Sequence, residues 1–392
     1  MAKLCSPPAA PLQPALVTLP TVALLVAFFL EFAIGPVDVF VSYPTKVVYF
    51  LLIALPPVIY WLLESGRTIS ISRFKSEVLM IAALSTFGLI WLATETPHVQ
   101  NAWRMWLEGI GMGVGDILVV VAIFALLRKT RRSPWWACFW VFGIGPFAEM
   151  GFPLWLPATV LLLAAFLSYT SSLRRWAGVC LALSTLACPF VAPVVVVAAA
   201  GVWRERKYGR IANKDALLIA GSFTGVLLAA VTMALLWPTA FHHWNNPFGS
   251  IIGYTRWPTV RLLRNSSQLV NLYCFEAVAW LIGVVTVVIA SIRCKWSVAR
   301  TAVHLCVLSL ILSPIYFYLF LLPILALGAL VWNRSAFWLV TISALLVPGR
   351  SRSYVAHHSY VVGAEWLLWM MALGLEVIQL VVDMTARPAR PA

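Results

Sequence analysis

GIGMGVGDILVVVAIFALLRKTRR, residues 109–132, decides the fold class. From Gly109 to Leu127 it carries one charge, Asp116, and then breaks abruptly into Arg128, Lys129, Arg131 and Arg132. About 20 apolar residues are what a helix needs to cross the hydrocarbon of a bilayer. A cluster of arginine and lysine directly after such a run marks the cytoplasmic side. The stretch therefore reads as a transmembrane helix leaving the membrane on its inner face.

The rest of the chain repeats the pattern. Apolar runs cover Ala15–Ala33, Val47–Leu63, Val78–Ala93 and Val303–Leu321. Of the 392 residues, 62% are hydrophobic and 11% charged, where a soluble domain carries about a quarter charged residues. A water-soluble core could not hide that much apolar surface. In lipid, backbone groups are satisfied only in helices or closed barrels, and barrel strands would alternate, which these runs do not. The expectation is an all-α polytopic transmembrane bundle of about 12–14 spans, one integral membrane domain over residues 1–392. The first run is too long for a signal-peptide core and lacks a cleavage site, so it reads as a retained span. Residues 1–14 and 384–392 read as cytoplasmic tails.

Charge orients the bundle. Arg67, Arg73 and Lys75, the 128–132 cluster, Arg174 and Arg175, the run from Arg204 to Lys214, and Arg293, Lys295 and Arg300 all fall between spans on one side. Of the 28 Lys and Arg, seven fall on the other side, namely Lys46, Arg104, Arg256, Arg261, Arg264, Arg350 and Arg352, leaving 21 inside. The opposite orientation breaks the charge rule. This bias accounts for most of the net charge of +14; the basic residues sit in short loops and form no nucleic-acid surface. Between Ala177 and Trp203 the apolar stretch is interrupted at Cys188-Pro189 and Pro193, which reads as two shorter helices. Ser313-Pro314 divides two further spans.

Residues that oppose the bias are the candidates for chemistry. The outer loop from Pro238 to Val270 is the densest, with His242, His243, Arg256, Arg261 and Arg264 among Trp244, Tyr254 and Trp257; Arg350 lies in a later outer loop. Arginine presents a planar fork to phosphate or carboxylate. Two readings stand: a site for a lipid phosphate or a sugar, or an interfacial belt of aromatics with snorkelling arginines. Outer acids include Asp38, directly after the first span, and Glu149. Asp38 has the chemistry of a general base towards an acceptor hydroxyl, or is a solvated loop aspartate. Glu149 also reads as a charge partner for an outer arginine. Glu276, Glu365 and His304 lie within spans and read as interhelical hydrogen-bonding groups. No phosphate loop, dinucleotide fingerprint, HExxH or Ser/His/Asp set is present. The seven cysteines show no CxxC or zinc spacing and read as small apolar residues, so no metal-ligating residue is singled out.

In order along the chain, four stretches resemble the GT-C superfamily of integral membrane glycosyltransferases, especially the polyprenyl-phosphate-mannose-dependent mannosyltransferase-like branch. They are Asp38 with Tyr43 after the first span; Pro146-Phe147-Ala148-Glu149-Met150-Gly151-Phe152-Pro153; Trp176-Ala177-Gly178-Val179 with Cys188-Pro189; and Leu310-Ile311-Leu312-Ser313-Pro314-Ile315-Tyr316. Where the family often has Gly-Gln-x-Asp this chain has Gly151-Phe152-Pro153-Leu154, and where it often has Lys-Pro this chain has Cys188-Pro189. The resemblance implies transfer of a hexose, mannose in that branch, from a polyprenyl-phosphate sugar to a lipid or glycan acceptor at the non-cytoplasmic face. It implies Asp38 as the catalytic base, with Tyr43, Glu149, His242, His243, Arg256, Arg261, Arg264 and Arg350 towards the substrates, and no cofactor beyond the lipid-linked donor. The location it implies is a multi-pass membrane protein, in the inner membrane of a bacterial host, with membrane lipids as partners and no nucleic acid. The alternatives are a polytopic transporter or lipid flippase, and a non-catalytic scaffold.

Overall fold

The computed structural model describes residues 76–95, 101–130, 132, 134–137, 140, 155–188, 191–236, 266–312, 326–331, 333 and 359–385. Among them every regular element is helical. In chain order they are α1 (Ser76–Glu95), α2 (Asn101–Lys129), α3 (Trp155–Thr170), α4 (Arg174–Ala187), α5 (Ala192–Lys207), α6 (Asn213–Leu236), α7 (Ser266–Arg293), α8 (Val298–Leu312), α9 (Gly328–Val331) and α10 (Ser359–Thr385), with a 3-10 turn at Pro134–Ala137. The spans expected over 15–34, 46–63 and 336–347 lie outside the described residues.

The helices follow the apolar runs, with instructive differences. α1 coincides with the span expected over 77–94, α6 with 216–238 and α10 with 361–382. α2 starts at Asn101 rather than 109, so Arg104 and Glu108, expected in an outer loop, belong to its first two turns. Residues 101–108 contain neither glycine nor proline and are rich in good helix formers, so the helix runs on through the charges. In the 177–203 stretch α4 ends at Ala187 and α5 begins at Ala192; Pro193 sits in the first turn of α5, where its missing N–H costs nothing. α4 and α5 have 14 and 16 residues, about 21 and 24 Å at 1.5 Å per residue. That falls short of the roughly 30 Å hydrocarbon core.

Two helices of similar composition have opposite surroundings. α3 is apolar all round and lies at the centre, packed by α1, α2 and α4, with every residue from Leu156 to Ala165 buried. Ser184 of α4 donates to the Ala158 carbonyl of α3 at 2.7 Å, so that buried hydroxyl is satisfied. α6 carries no charge from Ala216 to Leu236, yet none of its residues is buried; Leu217, Leu235 and Leu236 are 69%, 77% and 79% exposed. Among the described residues it is the one helix that is both long and apolar enough to cross a membrane. α7 and α10 likewise turn Phe275, Ile282, Ile292, Leu367 and Ile378 outward.

α6 is held mainly by α4, and the contact is a close backbone approach. A Cβ on Gly178 would overlap the Ser222 hydroxyl and the Ile219 carbonyl. On the other side of the bundle α8 packs on α7, α10 and α5, with Gly201 of α5 close against Val298.

Candidate functional site

Among the described residues, most of the polar contacts that join different helices gather at one end of the bundle. Lys129, closing α2, bonds the Ser171 hydroxyl after α3. The Tyr169 hydroxyl donates to Glu205 of α5. Arg174 opens α4, donates to the Tyr169 carbonyl at 2.7 Å, lies 4.4 Å over the Tyr169 ring and reaches Asp215 of α6 at 3.9 Å. Arg206 closes α5 and donates to Asn213 of α6 at 2.7 Å. Arg204 donates to the Trp296 carbonyl after α7 at 3.0 Å. Arg132 bonds the Leu330 carbonyl of α9.

Three helices stop at this end in the same way. After α3, α5 and α7 the chain takes a left-handed residue, Ser172 (φ 63°), Gly209 (φ 66°) and Lys295 (φ 53°). Each is followed by a long backbone bond: Leu173 to Ser168, Arg210 to Glu205 and Trp296 to Ser291. That is the six-to-one closure that satisfies the last carbonyls of a helix.

Within this end lies a buried charge cluster. Arg300 and His304 sit four residues apart on α8; Glu376, Gln379 and Asp383 occupy one face of α10. His304 Nδ1 lies 2.5 Å from Glu376 Oε1, both side chains fully buried. His304 Nε2 lies 3.0 Å from Asp383 Oδ2, and Arg300 Nε lies 3.6 Å from the same oxygen. Gln379 donates to the other Asp383 oxygen at 3.1 Å. The Trp296 ring covers the imidazole at 4.9 Å between centroids. The geometry is satisfied when both imidazole nitrogens carry hydrogen and donate to carboxylates. The imidazolium and guanidinium then balance the two acids. Such an arrangement can clamp two helices, and it can hold or pass a proton between a buried acid and a half-buried one.

The expectation of interhelical hydrogen bonding holds at His304. Its partners Glu376 and Asp383 were not singled out from the sequence, although two acids seven residues apart on an apolar helix are a legible signal for one polar face. Asp38, Tyr43, Glu149, His242, His243, Arg256, Arg261, Arg264 and Arg350 all lie outside the described residues. Among the described residues no set of three or more His, Cys, Asp and Glu side chains is disposed to hold a metal ion. Set against known proteins, the chain matches no family model, no curated protein and no solved structure.

Proposed function

We propose that this chain is a multi-pass membrane glycosyltransferase of the GT-C kind, moving a hexose from a polyprenyl-phosphate donor to a lipid or glycan acceptor. The observation that carries the reading is helix direction. α2, α3, α7 and α10 all finish at the basic end, through Lys129, Tyr169, Trp296 and Asp383. Each therefore begins away from it. α7 has 28 residues, about 42 Å of helix at 1.5 Å per residue. The chain enters α3 from Glu149, α7 from Arg261 and Arg264, and α10 from Arg350. One carboxylate and three arginines thus precede helix starts remote from the basic end.

The chemistry follows from that grouping. Arginines on the non-cytoplasmic face stabilise the phosphate leaving group as its negative charge develops. Asp38 accepts the proton of the attacking hydroxyl. The sugar's anomeric carbon passes from phosphate to acceptor oxygen, so no nucleotide is needed at that face. The bilayer setting is supported by α6, uncharged from Ala216 to Leu236 with no buried residue. In membranes supplied with a polyprenyl-phosphate sugar, Asp38→Asn is expected to lower transfer at least about 100-fold, the low end of general-base effects. Undiminished transfer removes Asp38 from the mechanism, and no transfer by the parent chain with any such donor removes the reading.

One observation favours a second reading, a transporter or lipid flippase. The His304 cluster places ionisable groups between two helices, where proton relays are found. Proton uptake by sealed vesicles containing the chain, lost in His304→Ala, distinguishes it from the first.

A further inference from the structure

We propose that the groove between α4, α5 and α6 is a binding site for an anionic phospholipid of the leaflet at the basic end. The proposal rests on the bilayer setting inferred above, not on glycosyl transfer. α5 has two faces with different neighbours. Through Gly201 it lies against Val298 of α8. On its other face, Val195, Ala199 and Val202 form one wall of an open groove whose opposite wall is Ala220 and Phe223 of α6 and whose floor includes Leu181 of α4. The cavity measures about 370 Å³, within the roughly 300–1,000 Å³ typical of small-molecule sites. Its length along α5, from Val195 to Arg206, is about 16 Å at 1.5 Å per residue. The shape is that of a channel for an alkyl chain running along the helix axis.

The chemistry changes at the basic end of the groove. Trp203 and Arg206 form its mouth. The Arg206 guanidinium is held in place, with its carbon 5.5 Å from the Trp203 ring centre and its Nε donating to Asn213 at 2.7 Å. Those contacts leave the two terminal nitrogens of the fork for an anion, and among the described residues no carboxylate pairs with them. Exposed Lys207, Arg210 and Lys214 follow within the same turn and helix start. The two acids nearby are engaged elsewhere, Glu205 by Tyr169 and Asp215 by Arg174. An apolar slot ending in a fixed, unneutralised arginine complements a molecule with an alkyl chain and a phosphate. A zwitterionic headgroup brings its own cation into the same field and is disfavoured. The acyl chain lies between Ala199 and Ala220, and the phosphate accepts from Arg206.

The test is lipid retention by the purified full-length chain, equilibrated with equal phosphatidylglycerol and phosphatidylcholine and weighed intact by native mass spectrometry. The expected preference for phosphatidylglycerol is about five-fold for each basic residue engaged. Arg206→Gln should reduce it by about that factor, and Lys214→Gln to a smaller extent. Ala199→Phe, which fills the slot, should lower retention of both lipids alike. Equal retention of the two lipids by the parent chain overturns the proposal, as does a preference unchanged in Arg206→Gln. Loss of self-association in Ala199→Phe with lipid retention intact would instead make the groove a contact between copies, and the proposal fails. Alkaline extraction of the membranes keeps the failures apart. A chain that resists extraction but shows no headgroup preference defeats this site alone, whereas a chain that washes off defeats the bilayer setting as well.

Discussion

Glu376→Ala is expected to lower the unfolding free energy of the detergent-solubilised protein by about 3–5 kcal/mol, the usual cost of removing one partner from a buried ion pair. The cause is specific to the site. His304 and Glu376 are fully buried against each other, and the imidazole has nowhere to turn because Asp383 holds its other nitrogen and Trp296 covers its face. Without Glu376 the Nδ1 hydrogen faces a cavity, and the cluster is left with a net positive charge. Glu376→Gln keeps an oxygen acceptor towards Nδ1 and should recover a large part of the loss. Asp383 is 12% exposed and its remaining neighbours, Arg300 and Gln379, can turn to solvent. Asp383→Asn is therefore expected to cost only about 1 kcal/mol, as for an ordinary hydrogen bond. Equal effects at Glu376 and Asp383, read from denaturant titration monitored by tryptophan fluorescence, would mean that burial does not set the energetics of the cluster.

The second large effect is expected at Gly178. Alanine there drives its Cβ into the Ile219 carbonyl and the Ser222 hydroxyl of α6. A carbonyl in a helix cannot step aside, so α6 must shift away from α4. Overpacking of this kind costs about 1–3 kcal/mol, and leucine at the same position should prevent α6 from docking. Gly221 and Gly225, on α6 itself, have open space around an added Cβ. Alanine at either should stabilise the helix by about 0.5–1 kcal/mol, because glycine loses more backbone freedom on folding. Thermal unfolding that ranks Gly178→Ala alongside Gly221→Ala would contradict the close α4–α6 crossing.

Much of the helical framework is legible in the sequence because two strong signals coincide: apolar runs of bilayer length and basic residues at their ends. α1, α6 and α10 follow them closely. Where a single signal acts alone, the reading slips. Charge at Arg104 and Glu108 argued for a loop, but helix propensity carried α2 through them. Proline at 193 argued for a break, yet at a helix start it fits. Of the three left-handed helix stops only Gly209 has the residue type that announces one; Ser172 and Lys295 adopt that conformation because the following chain must turn back at the basic end. His304 was legible as a hydrogen-bonding residue, but its partner is 72 positions along the chain, and pairing at that range depends on packing, which periodicity does not encode. The proposed outer site rests on sequence order and on helix direction together.

The central claim is that the basic end and the arginine- and acid-bearing loops lie on opposite sides of a membrane. Single cysteines in a cysteine-free background test it with a membrane-impermeant maleimide on intact cells. Arg256→Cys and Asp38→Cys should label from outside, whereas Lys207→Cys and Gly209→Cys should label only after the membrane is opened. Labelling of Arg256→Cys and Lys207→Cys under the same condition would put both ends on one side and contradict the account.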